Sequence, residues 1–184
     1  SGVKNIFSIG ENAWGIISPR GIYRWTPDKK ELALLRADDF GVSRGAYYRG
    51  KVYLAKRDTI FSLSNDGALL KFATIFGNIK GIGFIGDDMV VFGNGTNIIP
   101  LSDPQKVTRA FREYWADDGF VNPKAGEFVV GGGGWPGVVV KWPSNGDIKI
   151  LDRKFHSTYD TISGWDVDSE GNYWLFSKLA GEAT

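Results

Sequence analysis

Between Gly45 and Phe76 the chain reads GAYYRGKVYLAKRDTIFSLSNDGALLKFATIF. Turn chemistry interrupts this run every few residues. Arg49-Gly50, Arg57-Asp58 and Asn65-Asp66-Gly67 supply residues that accept the positive φ of tight hairpin turns. The segments between them, 46–48, 52–55, 60–63 and 69–75, are rich in aromatic and β-branched residues, which suit a half-covered pleated surface. Four short strands in succession, each turned back on the last, form one antiparallel meander sheet. A longer helix has no room here.

The same plan recurs along the chain. Before this run come 6–9, 14–17, 22–25 and 31–35. After it come 82–85, 89–92, 98–101 and 106–111, then 119–121, 127–130, 138–142 and 147–151. A partial copy, 162–167 and 172–176, ends the series. First strands repeat every ~36–45 residues, the period of propeller blades. A single such sheet cannot cover both of its faces, whereas a series of sheets can, each packing on the next. The chain is therefore expected to be all-β: one β-propeller domain over residues 1–184, about five blades, each a four-stranded antiparallel meander and the last incomplete. Residues 102–115 come nearest to a helical segment, although Val107, Arg109 and Phe111 also alternate as a strand does.

Two resemblances attach to particular residues. Arg44, Gly45, Tyr47, Gly50, Val52, Tyr53, Asp66, Gly67, Ile75 and Gly77 fall into an order that resembles propeller repeats in tail-hub and tail-nozzle proteins of short-tailed bacteriophages. That resemblance implies a structural part of a virion. Asp168, Gly171, Asn172 and Trp174 are similar to the Asp-x-x-Gly-Asn-x-Trp hairpin of NHL-type and regulator-type propellers. There the Asp and Asn fix a turn and the Trp packs between blades.

Composition narrows the function classes. Apolar residues make up 42% and aromatic residues 14% of the 184 residues, ample for a core, and 25 glycines suit a fold built of turns. Net charge is +1 with both signs interleaved, which argues against a broad nucleic-acid-binding surface. Arg36, Arg44, Arg49, Lys51, Lys56 and Arg57 nevertheless cluster in sequence as a local basic run. The absence of cysteine removes disulfides, thiolate catalysis and Cys-ligated metal together. No membrane span or leader stands out, and the opening Ser-Gly reads as an expression scar. A virion or extracellular setting suits this reading best.

Candidate chemistry is sparse. Asp38, Asp39, Asp117, Asp118, Asp166 and Asp168 lie near first strands, where propeller glycosidases hold their carboxylates. Asp is also a turn former, and no Glu accompanies these positions to serve as a raised-pKa acid. Asp166, Asp168 and Glu170 imitate the start of a calcium loop, but Ser177 stands where its bidentate Glu belongs. His156 is the sole histidine, with no nucleophile motif beside it. Gly131–Gly134 before Trp135-Pro136 lacks the Lys and Ser/Thr of a phosphate loop. The expectation is a non-enzymatic binding or structural module with no cofactor and no metal. Trp115, Trp135, Trp142, Tyr159 and Trp165 are its candidate binding aromatics, able to stack on a sugar or cover a partner. Partners would be another protein or further copies of the chain, with a glycan as the alternative and neither nucleic acid nor membrane. A carbohydrate-binding propeller is the second reading and a glycosidase the third.

Alternation assigns Ile6, Val52, Tyr53, Ile60, Leu63, Phe84, Val90, Ile99, Val129, Val139 and Leu175 to the spaces between sheets, and Trp14 and Trp25 to packing. The two-stranded last repeat would leave a row of backbone groups unpaired. The chain is therefore expected not to close a ring unaided: either it is cut from a longer protein, or a neighbouring subunit completes the pairing.

Overall fold

A computed structural model describes residues 2–10, 12–111, 118–132, 135–142, 149–152, 160–168 and 170–179. The chain divides into two compact units, 1–82 and 83–184.

Two sheets build the first unit. β1 (Asn5–Ser8), β2 (Trp14–Ser18), β3 (Gly21–Thr26) and β4 (Glu31–Arg36) pair in sequence order. β5 (Arg44–Tyr48), β6 (Lys51–Lys56), β7 (Thr59–Leu63) and β8 (Leu69–Thr74) do the same. Every pairing is antiparallel, with Arg49 and Arg57 at φ 46° and 55° in the two tight turns of the second sheet. Phe7, Ile17 and Ile22 from the first sheet form one buried cluster with Leu54 of the second and Val42 of the loop between them. Tyr47, Val52, Leu63 and Leu69 flank it.

The close approach of the two sheets depends on glycine. A methyl group on Gly15 would stand 2.2 Å from Phe7 Cζ, and one on Gly45 would stand 2.2 Å from Phe7 Cε1. The Phe7 ring therefore lies directly on two backbones, one in its own sheet and one in the next. Gly45 N also donates to Asn5 Oδ1 at 3.0 Å, which ties the first strands together.

The second unit repeats the device. β9 (Gly81–Ile85), whose start carries the division, pairs on through β10 (Asp88–Phe92), β11 (Thr96–Pro100) and β12 (Thr108–Phe111). β13 (Asp118–Asn122), β14 (Glu127–Gly132), β15 (Trp135–Lys141) and β16 (Lys149–Asp152) form the fourth sheet. β17 (Asp160–Val167) and β18 (Tyr173–Leu179) form a two-stranded fifth. Phe92 lies against Gly119, where a methyl group would come within 2.6 Å of its ring, and meets Phe128 edge-on at 6.3 Å. Ile85, Val90, Ile98, Val130 and Val140 complete that core. Asn122, fully buried, donates from Nδ2 to Gly171 O at 2.9 Å and accepts from Ala125 N, linking the fourth and fifth sheets.

Each segment read as a strand is one, with ends moved by a few residues. In 102–115 the described part is turn followed by β12, so the strand alternation decides it. Tyr53, Ile60, Phe84, Val90, Ile99 and Val129 are buried as expected. Val52 and Leu63 are half-buried, and the side chains of Val139 and Leu175 lie outside the description. Ile6 is a correction: it is 56% exposed, while its neighbour Phe7 is buried. Both are apolar, so alternation fits either phase, and the glycines opposite Phe7 choose it. Trp14 is a second correction. It pairs across the sheet with Trp25 but is 46% exposed, on the same face as Ile6 and Leu32.

Candidate functional site

Two inter-sheet loops of the first unit carry the same short pattern, Phe-Gly-x-x-Arg/Lys-Gly, 36 residues apart. Phe40-Gly41-Val42-Ser43-Arg44-Gly45 leads into β5, and Phe76-Gly77-Asn78-Ile79-Lys80-Gly81 leads into β9. In each loop a glycine at positive φ reverses the chain, with Gly41 at 73° and Gly77 at 90°. In each, one buried side chain (Val42, Ile79) anchors the loop, and the phenylalanine before the glycine turns outward. Phe40 is 43% exposed and Phe76 72%.

The two loops flank the β6–β7 turn. On one side Ser43 N donates to Ala55 O and Lys56 Nζ lies 3.9 Å from the centre of the Phe40 ring. On the other, Ile75 N donates to Asp58 O and Ile79 N to Arg57 O, at 2.9 and 2.7 Å. Arg44 Nε spans from one loop to the other by donating to Lys80 O at 2.7 Å. Phe40, Lys56, Arg57 and the Phe76 loop thus form one continuous rim at the same end of the second sheet.

Phe40 is held at φ 48°, a left-handed conformation that costs a bulky residue roughly 1–3 kcal/mol. Its surroundings enforce that conformation. Asp38 Oδ1 accepts from Phe40 N at 3.0 Å, Asp39 Oδ1 accepts from Gly41 N at 2.9 Å, and Asp39 O accepts from Val42 N. Arg36 grips Asp38 through Nε and Nη2, and Lys4 Nζ donates to Asp39 Oδ2. The hydrogen bond from Lys4, with that from Gly41 N, holds the Asp39 carboxyl below its ordinary value. The Phe61 ring meets Phe40 edge-on at 5.6 Å, and Arg36 lies 5.7 Å from its centre.

The candidate residues read from sequence are scattered by comparison. Trp142 packs against the second unit's core and donates from Nε1 to Asp88 Oδ2 at 2.8 Å. Trp135 and Trp165 fall in β15 and β17, with their side chains outside the description. Trp115, Tyr159, Asp117 and His156 lie outside the described residues, as do the side chains of Asp118 and Asp166. Asp38 and Asp39 are engaged in the rim loop. Asp168 closes its hairpin: Oδ1 accepts from Glu170 N and Asn172 N, and Oδ2 accepts from Asn172 Nδ2, all at 2.9 Å. The basic run is divided by its own hairpin. Arg49 stacks on Tyr48 at the far turn, while Arg36, Arg44, Lys56 and Arg57 belong to the rim. Sequence reading passed over Phe40 and Phe76, although the recurring Phe-Gly-x-x-Arg/Lys-Gly was a signal that could have marked them.

A cleft of about 280 Å³ opens between the first two sheets, lined by Ile9, Leu34, Tyr47 and Val52. Arg24 is the only charged side chain lining it among the described residues.

No protein-family model matches the chain, and no curated protein sequence does. Solved structures do match by fold. The N-terminal domain of Nup159 superposes with TM-score 0.67 at 10% identity, over 95% of this chain and 52% of that one. A chain in the assembly of S. cerevisiae Dbp5 bound to Nup159 and Gle1 gives 0.61 at 11%, over 80% and 42%. Regucalcin, a calcium-binding protein of Agrobacterium tumefaciens, gives 0.51 at 14%, over 78% and 57%. The chain thus spans about half the length of the Nup159 domain. At these identities the likeness concerns the fold alone: an all-β chain of β-propeller type, built of four-stranded antiparallel sheets with a two-stranded fifth.

Proposed function

We propose that this chain is a non-catalytic interaction domain of β-propeller type that docks a partner protein on the loop rim of its second sheet. One observation carries the reading. Two phenylalanines at corresponding positions of successive loops face solvent, and one is kept there in a strained conformation by a set of polar contacts. Exposed apolar groups grouped on one rim, at a cost in backbone energy, are a mark of a binding surface. The fold neighbours agree in kind, since one of them was solved in an assembly of protein partners.

The finer setting we propose is a tail-associated part of a short-tailed phage particle, on the strength of the residue order from Arg44 to Gly77. Mass spectrometry of purified particles from the encoding genome tests it: peptides of this chain at stoichiometric abundance are expected, and their absence rejects the setting. A panel of chromogenic glycosides tests the non-catalytic reading. No turnover is expected, and turnover lost in Asp118→Asn would replace it with a hydrolase. Specific glycan-array binding abolished by Trp135→Ala would favour a lectin instead.

A further inference from the structure

We infer that the rim takes an acidic segment of a partner protein whose aliphatic side chains sit against Phe40 and Phe76; this rests on the interaction reading above and names its chemistry. The charge balance points to the sign. Lys4 and Arg36 neutralise Asp39 and Asp38, which leaves Arg44, Lys56 and Arg57 facing Asp58 among the described residues of the rim. Lys56 and Arg57 meet no carboxylate among the described residues, and Asp58 accepts from the Thr59 hydroxyl at 2.9 Å. The chain as a whole carries only +1, so this local excess is a property of the rim. It would attract carboxylates and speed their encounter in a salt-dependent way.

Aromatic groups among cations also suit nucleic acid or an anionic sugar, which need an open ring face on which to stack. Phe40 does not offer a free pair of faces. Lys56 Nζ stands 3.9 Å from the ring centre and Phe61 meets the ring edge-on. The exposed remainder suits the methyl groups of Leu, Ile or Val. Two such anchors, one repeat apart and separated by the Lys56-Arg57 turn, fit an extended chain that alternates apolar and acidic side chains.

Selection from a displayed library of random dodecapeptides against the intact chain tests this. The enriched peptides are expected to carry Asp or Glu beside Leu, Ile or Val. Their affinity should fall at least about tenfold in Phe76→Asp and in the double variant Lys56→Glu, Arg57→Glu, and should weaken as salt is raised. Both changes are at or near the surface, and circular dichroism melts confirm that each variant is folded. Enriched peptides without acidic residues, or acidic ones unaffected by both variants, would overturn the acidic-partner inference while leaving a protein-binding role standing. No enrichment at all would count against both. Oligo-dT and heparin are titrated in parallel: tighter binding of either, lost in the same variants, would assign the rim to a polyanion other than protein.

Discussion

Phe7 and Phe40 lie in the same unit and do opposite things. Phe7 is 8% exposed, pressed between the backbones of Gly15 and Gly45, and its place is set by what those residues lack. Phe40 is 43% exposed, and its place is set by what its neighbours supply: two aspartates that fix the loop, and a lysine on its ring. The contrast separates two tasks. Sheet-to-sheet packing is carried by large side chains lying on glycine, whereas the rim is held by polar contacts that leave its aromatic groups outward. Changes in the first region should therefore cost stability, and changes in the second should cost binding.

The largest effect is expected where a core ring is removed. Phe7→Ala should destabilise by about 3–5 kcal/mol, read from the urea midpoint at constant slope. A loss under about 1 kcal/mol would mean that the ring does not hold the two sheets together. The reverse insult should come next. Gly45→Val places branched carbons where the Phe7 ring already stands, at a cost of about 1–3 kcal/mol. Combining it with Phe7→Ala should recover part of the sum, because the cavity left by one receives the other. Strict additivity would separate the two residues.

In the second unit Val129, 1% exposed, provides the parallel test. Val129→Ala should cost about 2 kcal/mol, the low end for buried aliphatic truncation, and an unchanged melting temperature would remove it from the core. A smaller effect belongs to the rim loop. Asp39 sits below its ordinary pKa of 3.8, chiefly through Lys4. A carboxylate depressed in the folded state adds stability above its unfolded pKa, and loses it as pH falls through the lower folded value. Melting temperature plotted against pH should therefore fall less steeply below about pH 4 in Asp39→Asn than in the parent. Parallel curves would deny the Lys4 contact a role. Added salt should shrink the difference, since Lys4 is 39% exposed.

The strands were legible because their turns were. Arg49-Gly50, Arg57-Asp58 and Asn65-Asp66-Gly67 punctuate the chain so often that only short strands fit between them, and the repeat followed. The face of β1 was not legible, because Ile6 and Phe7 are adjacent and apolar, and period-two reasoning cannot choose between them. What chose was Gly15 and Gly45, residues whose role as a floor for a ring appears only when two sheets meet. The rim escaped for a related reason. Tryptophans drew attention as binding groups, yet Trp142 spends its indole N–H on Asp88 and its ring on the core. Phe40 and Phe76 carried no expectation from the sequence, and the loops turn both outward. Their recurrence at 36 residues, each before a glycine, was the available clue.

The division between packing and binding is tested most directly on one variant, Phe76→Asp, by measuring its urea midpoint and its affinity for a rim-selected peptide on the same preparation. Phe76 is 72% exposed, so the midpoint should stay within about 0.5 kcal/mol of the parent while affinity falls at least about tenfold. An unchanged affinity in a folded variant would contradict the account, and so would a stability loss as large as that of Phe7→Ala.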